Sequence, residues 1–524
     1  MHFRHLKPLR VGVAVAFLAL TASLFLDFRD VGATHMADTV LYLQFVPSLL
    51  NFLEAATLGS AGFFAVLLLT LLFGRVYCST VCPFGTLQDI VSRLAGKKRR
   101  RYSFTKPHSA LRYGLLALTV LLFLAGSGLL LNLLDPFSNF GRIFSNLVRP
   151  MVLAANNLAA PVAEWFGSHA IYRVQWPAIA PASIGVALAM LLTAGWLSAR
   201  HGRLYCNTLC PVGALLGLVS RFSLLRIRVD SGACIECGRC EGVCKAGCID
   251  FKAGEVDVSR CVDCYNCLTA CRDNALHLMP KARPVSQTDG ENPGRRKFLI
   301  GLAAGGLGIT ATKTQAALSP NFAQSRPTTI PEKRTSPVSP PGSQSIEHFT
   351  SRCTACHLCV SACPSRVLAP SFLDYGVTGM MQPQMDFHAA HCNFDCTVCS
   401  NICPSGAILP LTKDQKRQTQ MGVAHFVKEN CVVYTDNTNC GACSEHCPTK
   451  AVHMVPYLNA KGRKLVIPEV NEKICVGCGG CEHACPTRPY KAIWVDGNPV
   501  HKVAEKPVEV KLDKKIDADE DFPF

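Results

Sequence analysis

The chain has 524 residues, 49% of them hydrophobic, with 29 cysteines and a formal net charge of +16. Disulfide-stapled secreted scaffolds are short, so this length and apolar content exclude that class. The basic residues gather beside apolar stretches, at Arg4, Lys7 and Arg10 and in Lys97-Lys98-Arg99-Arg100-Arg101, which points to loops at a lipid bilayer rather than to nucleic acid.

Four uncharged apolar stretches, 11–26, 56–74, 113–134 and 178–199, each approach the 20 or so residues that cross a bilayer. Cationic loops mark the cytoplasmic side. The N-terminus and the 97–101 loop are therefore expected inside, with 28–55 and 135–177 outside. Residues 1–228 read as a four-helix membrane domain. An internal repeat lies at the inner ends of its second and fourth spans, Gly74-Arg75-Val76-Tyr77-Cys78-Ser79-Thr80-Val81-Cys82-Pro83 against Gly202-Arg203-Leu204-Tyr205-Cys206-Asn207-Thr208-Leu209-Cys210-Pro211. It implies two helix pairs packed about a pseudo-twofold axis. A C-x3-C on a helical turn puts both thiols on one face, so Cys78, Cys82, Cys206 and Cys210 can face one another. Three roles stay open for them: a metal centre, redox disulfides, or packing.

Residues 229–280 carry two runs spaced C-x2-C-x2-C-x3-C: Cys234, Cys237, Cys240 and Cys244, then Cys261, Cys264, Cys267 and Cys271. That spacing is the ligand pattern of [4Fe-4S] clusters, whereas four-thiolate zinc uses two C-x2-C pairs separated by a finger. Lys245 and Arg272 replace the Pro that usually closes such runs, and their charge raises the cluster potentials. Cys248, outside every run, reads as structural.

In 281–318, Gly294-Arg295-Arg296-Lys297-Phe298-Leu299 precedes an apolar stretch to Thr312 and a small-residue site at Gln315-Ala316-Ala317, the pattern of an internal twin-arginine export signal. Uncleaved, the stretch would be a fifth span. Residues 319–345, with six prolines among Ser, Thr and Gln, read as a solvated linker. A module at 346–500 holds four more runs: Cys353, Cys356, Cys359, Cys363; Cys392, Cys396, Cys399, Cys403; Cys431, Cys440, Cys443, Cys447; and Cys475, Cys478, Cys481, Cys485. Residues 501–524 read as a poorly ordered tail. In two-cluster ferredoxins the fourth cysteine of one run ligates the cluster of its partner run, so six runs imply six clusters. In the four-run module we expect nested pairing, first with fourth and second with third, over neighbour pairing. No phosphate-cradling glycine fingerprint and no C-x-x-C-H occurs, so nucleotide, flavin and covalent haem are not expected.

The paired C-x3-C-P loops, the four spans and the following pair of runs resemble the NapH-type membrane subunits of quinol dehydrogenases. The remainder, with its twin-arginine signal and four runs, resembles periplasmic NapG-type ferredoxins, so the chain looks like a fusion of the two. The membrane part is also similar to MauN- and NosR-like proteins. The resemblance implies a bacterial inner-membrane protein with a periplasmic C-terminal module. It would oxidise the membrane quinol pool and deliver electrons to a periplasmic reductase or cytochrome, with Asp135 or Glu54 as proton acceptor, or His108 and His201 at the other face. The alternative is an electron donor or assembly factor that reactivates a periplasmic metalloenzyme. The expected fold class is a membrane α-helical bundle carrying α+β ferredoxin-like modules, two clusters inside and four outside.

Overall fold

The computed structural model describes residues 5–26, 33–95, 102–174, 176, 180–280, 327–459 and 462–506, and the twin-arginine stretch lies outside them. The first part is a helix bundle: α1 (Leu6–Leu26), α2 (Phe45–Ala55), α3 (Gly62–Phe73), α4 (Pro83–Ala95), α5 (Ser109–Leu124), α6 (Pro136–Ile143), α7 (Arg149–Trp165), α8 (Pro181–His201) and α9 (Pro211–Ser220). Two of these, α1 and α8, are long and apolar enough to cross a membrane. Around a buried core that includes Phe25, Phe84, Phe137 and Phe140, the bundle also presents apolar side chains outward and hydroxyls inward. Leu9, Val13, Leu68, Leu71, Leu118, Leu121, Leu188, Leu192 and Trp196 are exposed, while Thr21, Thr70, Thr119 and Ser198 are buried. Each buried hydroxyl donates to a carbonyl one turn back on its own helix, as Thr70 does to Val66 at 2.8 Å and Ser198 to Ala194 at 2.6 Å.

Two expected spans are shorter than the sequence suggests. The first residues of the 56–74 stretch go into a left-handed cap at Ala56 (φ 47°) and a tight turn at Leu58–Ser60, leaving the twelve residues of α3. The 113–134 stretch breaks after α5, with Gly126 at φ +83°, and resumes as the short helix Leu129–Leu134. Alanine and glycine caps at Ala56, Ala61, Ala125 and Gly128 set these ends, whereas hydropathy alone reads through them.

At one end of the bundle sits a small module in which β1 (Leu225–Val229) pairs antiparallel with β2 (Leu276–Pro280), Ile227 opposite Leu278. At the other end sits the larger module, built on three antiparallel ladders. These are β3 (Leu368–Pro370) with β4 (Pro383–Met385), β5 (Thr419–Phe426) with the eleven-residue β8 (Ile493–Val503), and β6 (Val452–Leu458) with β7 (Lys464–Val470). Its boundaries differ from the expected 346–500 at both edges. The supposed linker is packed over its described part, with Val338, Ser339 and Ser343 buried. The amides of Thr335 and Ser336 donate to the Asp496 carboxylate at 2.9 and 3.1 Å, and Gly497 N donates to Ser336 O at 3.1 Å. Prolines here suit a strap that lies along β8 without needing every amide. The expected tail begins inside that strand: Lys502 pairs with Gln420 and Val503 with Thr419.

Both modules are bonded to the bundle. Lys7 on α1 donates to Thr269 of the small module at 3.3 Å. At the other end of α1, Phe25 packs on Phe137 and Phe140 of α6, and Gly141 of α6 lies so close to the large module that an added Cβ would sit 2.2 Å from Cys356 O. The π turn Phe144–Val148 turns two side chains onto the same loop, where Ser145 Oγ lies 2.8 Å from Ser361 Oγ and Asn146 Nδ2 lies 3.1 Å from His357 Nδ1. Arg149 Nη2 donates to Ser361 O at 2.7 Å and Asn132 Nδ2 to Met380 O at 2.8 Å. The 21 residues of α1, about 31 Å of helix, separate the two modules.

Candidate iron–sulfur sites and the paired cysteine loops

In four runs the residues just before and just after the second cysteine both adopt left-handed backbone: Glu236 and Gly238, Asp263 and Tyr265, Ala355 and His357, Gly477 and Gly479. Five of these eight positions carry non-glycine residues, a strained conformation that persists only where surroundings impose it. Such alternation turns successive N–H groups into a concavity suited to an anionic group, iron–sulfur clusters included. The runs at Cys392 and Cys431, whose first gaps are longer, lack the paired left-handed residues.

The pairing of runs is between neighbours. One cavity is lined by Cys234, Cys237, Cys240 and Cys271, a second by Cys261, Cys264, Cys267 and Cys244, and a third by Cys431, Cys440, Cys443 and Cys485. Cys403 lies with Cys353, Cys356 and Cys359, Cys363 with Cys392, Cys396 and Cys399, and Cys447 with Cys475, Cys478 and Cys481. The nested pairing expected for the large module is thus corrected. The β5–β8 and β6–β7 ladders clamp the third and fourth of its runs onto each other and leave the first two facing the bundle. Burial pushes the thiol of Cys264 up to about 11 and those of Cys356, Cys443 and Cys478 up to about 12, the fourth cysteine of the partner run adding repulsion each time. Thiols so hard to ionise become ligands only in exchange for a cation.

All 29 cysteines are free thiols. Among the described residues, only Glu332, His388 and Glu482 bring three ligand atoms within 4.8 Å of one another. No cysteine group closes to the roughly 3.8 Å sulfur spacing of a tetrahedral zinc thiolate site. The wider quartets, three of them each around its own cavity, fit a cubane. Cys248 was read as structural. Its sulfur lies 3.5 Å from that of Cys244, and it lines the same cavity as Cys261, Cys264 and Cys267. Sequence spacing had no means of placing it there, because it falls outside the run.

The repeat in the bundle forms one buried unit, and each letter of it has a task. Gly74 and Gly202 take φ of +81° and +64°, and a Cβ would meet Asp263 Oδ2 at 2.5 Å and Lys245 O at 2.3 Å, so both allow the small module to approach. Arg75 Nη2 crosses to the other repeat and donates to Cys206 O at 3.1 Å, while Arg203 Nη1 makes the reciprocal bond to Cys78 O. Tyr77 and Tyr205 point the other way: Tyr205 Oη donates to Leu134 O at 2.9 Å, and Tyr77 Oη accepts from Phe45 N at 3.2 Å. Cys82 and Cys210 accept from the amides of Gly85 (3.4 Å) and Gly213 (3.3 Å), capping α4 and α9. Gln88 Nε2 donates to Cys206 Sγ at 3.4 Å and Arg75 Nη2 lies 3.8 Å from Cys78 Sγ. All four cysteines are 3 to 5% exposed. Asp89 gathers the surrounding cations, with Arg203 at 2.9 Å, Lys245 at 3.3 Å and Arg10 at 3.4 Å.

The two carboxylates singled out for proton transfer each make structural contacts. Asp135 Oδ2 caps α6, accepting from Ser138 N at 2.8 Å and Ser138 Oγ at 2.7 Å. Glu54 holds the large module, with Arg352 at 3.2 Å and His348 at 3.6 Å. His108 precedes α5 and His201 ends α8, both exposed.

Cysteine loops of this geometry define a ferredoxin-type iron–sulfur protein. A 4Fe-4S binding domain model matches residues 55–102, 183–229 and 397–417, and 4Fe-4S dicluster domain models match 257–367 and 438–488. The chain is 36% identical over 153 residues to the methylamine utilization ferredoxin-type protein MauM of Methylophilus methylotrophus, covering 28% of this chain and 66% of that one. It is 29% identical over 226 residues to the ferredoxin-type protein NapH of Haemophilus influenzae, covering 43% and 63%. Identity to the ferredoxin-type protein NapF of Escherichia coli K12 is 28% over 147 residues, covering 28% and 78%. The chain therefore spans about two thirds of the length of the MauM and NapH relatives, and no solved structure matches it. The chain is thus similar to 4Fe-4S ferredoxin-type proteins, NapH and MauN among them.

Proposed function

We propose that the chain is a membrane-bound iron–sulfur electron conduit, carrying six [4Fe-4S] clusters, that takes electrons from the quinol pool and delivers them to a periplasmic reductase or cytochrome. The observation that carries this reading is the placement of two cysteine-run modules at opposite ends of one apolar helix bundle, 21 helical residues apart. When bound, the clusters supply the one-electron carriers.

The chain's contribution is to position them. Arg203 N donates to Lys245 O at 2.8 Å and Asn207 Nδ2 to Ala246 O at 3.2 Å, which ties the second cysteine loop to the residues that follow Cys244. Arg75 Nη1 donates to Ser259 O at 3.1 Å and Arg112 Nη2 to the same oxygen at 2.8 Å, fixing the approach to Cys261. At the opposite end α6, α7 and the π turn grip the loop from Cys356 to Ser361. Pro280 of the small module and Pro327 of the large one lie at opposite ends of the bundle, which supports a periplasmic large module.

Anaerobic protein mixed with a reduced quinol analogue tests the reading: the broad iron–sulfur absorbance bleaches at turnover rates, and failure of any cluster to be reduced overturns it. A reporter fused after Phe524 is active only outside the cytoplasm, and export that survives Arg295→Lys with Arg296→Lys refutes the signal.

A further inference from the structure

A cavity of about 660 Å³ lies where the start of α1, the end of α4 and the small module meet. That volume is within the roughly 300–1,000 Å³ of small-molecule sites. Its walls carry Lys7 and Arg10 from α1, Arg93 from α4, and Arg239 and Lys245 from the small module, and among the described residues no carboxylate lines it. Cations gathered from three elements around one space repel one another unless an anion joins them.

The protein itself supplies little of that anion. Arg10, Lys245 and Arg203 share the single carboxylate of Asp89, at 3.4, 3.3 and 2.9 Å. Lys7 donates to the neutral hydroxyl of Thr269, and among the described residues Lys7, Arg93 and Arg239 have no ion-pair partner. Arg10 is 8% exposed, and its buried Nε has no hydrogen-bond partner. A buried donor left without an acceptor is destabilising, and an anionic oxygen in the cavity would relieve it. A quinol, being uncharged, would leave the surplus positive charge in place. Among the described residues no carboxylate or imidazole lines the cavity to take its protons either.

Phosphate suits the donors, because guanidinium groups present paired N–H groups to its oxygens. The surroundings favour a phosphate that carries acyl chains over a free one. Lys7 and Arg10 stand where the apolar run of α1 begins, which is headgroup depth for a helix that crosses a bilayer. Val11 lines the cavity, Val15 lies one turn further along the same face of α1 and is exposed, and Ile90, one turn before Arg93 on α4, is exposed as well. We infer that this cavity binds the phosphate of an anionic phospholipid and that the bound headgroup helps to seat the small module on the bundle. Basic pockets between helices at a cytoplasmic membrane face suit such headgroups. The inference rests on the membrane reading of the bundle given above.

The test uses the full chain with its clusters, solubilised in detergent, offered equal amounts of phosphatidylglycerol and phosphatidylcholine and read by native mass spectrometry. Phosphatidylglycerol is retained in preference. Arg93→Gln with Arg239→Gln weakens that retention about 25-fold, on the order of fivefold for each cation removed, while Arg93→Lys with Arg239→Lys keeps most of it. Both arginines are exposed, and iron content measured on each variant reports whether it has folded. Equal retention of the two lipids by the native chain, or full retention by a folded Gln variant, overturns the inference. Displacement of the lipid by an excess of inorganic phosphate overturns it too, and marks the site as one for a free phosphate; neither this competition nor the lipid comparison needs a variant. Retention of neither lipid by a chain that stays dispersed without detergent removes the membrane reading as well. The conduit reading fails separately, if a quinol analogue reduces none of the clusters while phosphatidylglycerol is still retained.

Discussion

Gly85 and Gly213 lie where the two repeats come closest. A Cβ at Gly213 would sit 2.1 Å from Cys206 O and 2.8 Å from Arg75 Nη2, and one at Gly85 would sit 2.4 Å from Cys78 O and 2.6 Å from Arg203 Nη1. Backbone cannot yield here as a flexible side chain could. Gly213→Ala should therefore cost about 1–3 kcal/mol, as overpacking does, and lower the thermal midpoint, with Gly85→Ala behaving alike because the pair is symmetric. Asp135 leads to a second expectation. Its carboxylate works as a helix cap, a task that asparagine performs equally well. Asp135→Asn should keep both stability and the rate of quinol-driven reduction, measured by stopped-flow bleaching; a fall of more than about tenfold, roughly 1.4 kcal/mol of barrier, would restore the proton-acceptor role. At this scale the sequence was informative about identity and mute about use. The repeat's cysteines, arginines and tyrosines were visible as a pattern, but the crossing of Arg75 and Arg203 to the opposite repeat depends on how two segments 128 residues apart pack. Asp135 stood out in the sequence as a carboxylate near the interface, and its bond to Ser138 follows from the helix start that Pro136 marks.

The strap at 327–345 shows why some elements were misread. Its proline and serine content is that of a solvated linker, yet Val338 is 2% exposed and Met385 N donates to Val338 O at 3.0 Å. What holds it are Met385 of β4 and the edge of β8, a strand whose length the sequence did not reveal because Pro499 and Gly497 interrupt its alternation. Ser339 Oγ lies 2.8 Å from His501 Nε2, and burial pushes His501 down from 6.5 to about 4. A histidine kept neutral when folded binds fewer protons than the unfolded chain between those two values, so stability falls as pH drops from about 6.5 to 4. The strap should then exchange its amide hydrogens faster at pH 5 than at pH 7, after correction for intrinsic rates. His501→Gln should flatten that difference, and an equal pH dependence in the variant would show that other groups are responsible. The same element-level logic explains the corrected pairing of runs. Every run has the same ligand spacing whichever partner it takes, and only the ladders decide which two loops meet.

For the molecule as a whole, the decisive contact is the one that seats the large module on the bundle, because an electron path depends on its first run facing α6. Arg149 carries much of that contact, buried and donating from Nη2 to Ser361 O at 2.7 Å, with Ser145 on Ser361 beside it and Glu54 on Arg352 at the rim. The rim pair is partly exposed and is worth at most about 1 kcal/mol. A hydrogen bond from a charged, buried donor is worth roughly 1.5–3 kcal/mol, so Arg149→Ala should shift the docked equilibrium by a factor on the order of 10 to 150. Since Arg149 touches neither the small module nor the paired cysteine loops, inner clusters in the variant should be reduced by a quinol analogue at the normal rate, while the large module's clusters lag. Rapid-freeze EPR separates the two populations. Arg149→Lys, which keeps a donor, should recover part of the rate. Equal reduction rates for both modules in Arg149→Ala would mean that electrons reach the large module by a route other than the face it presents to α6.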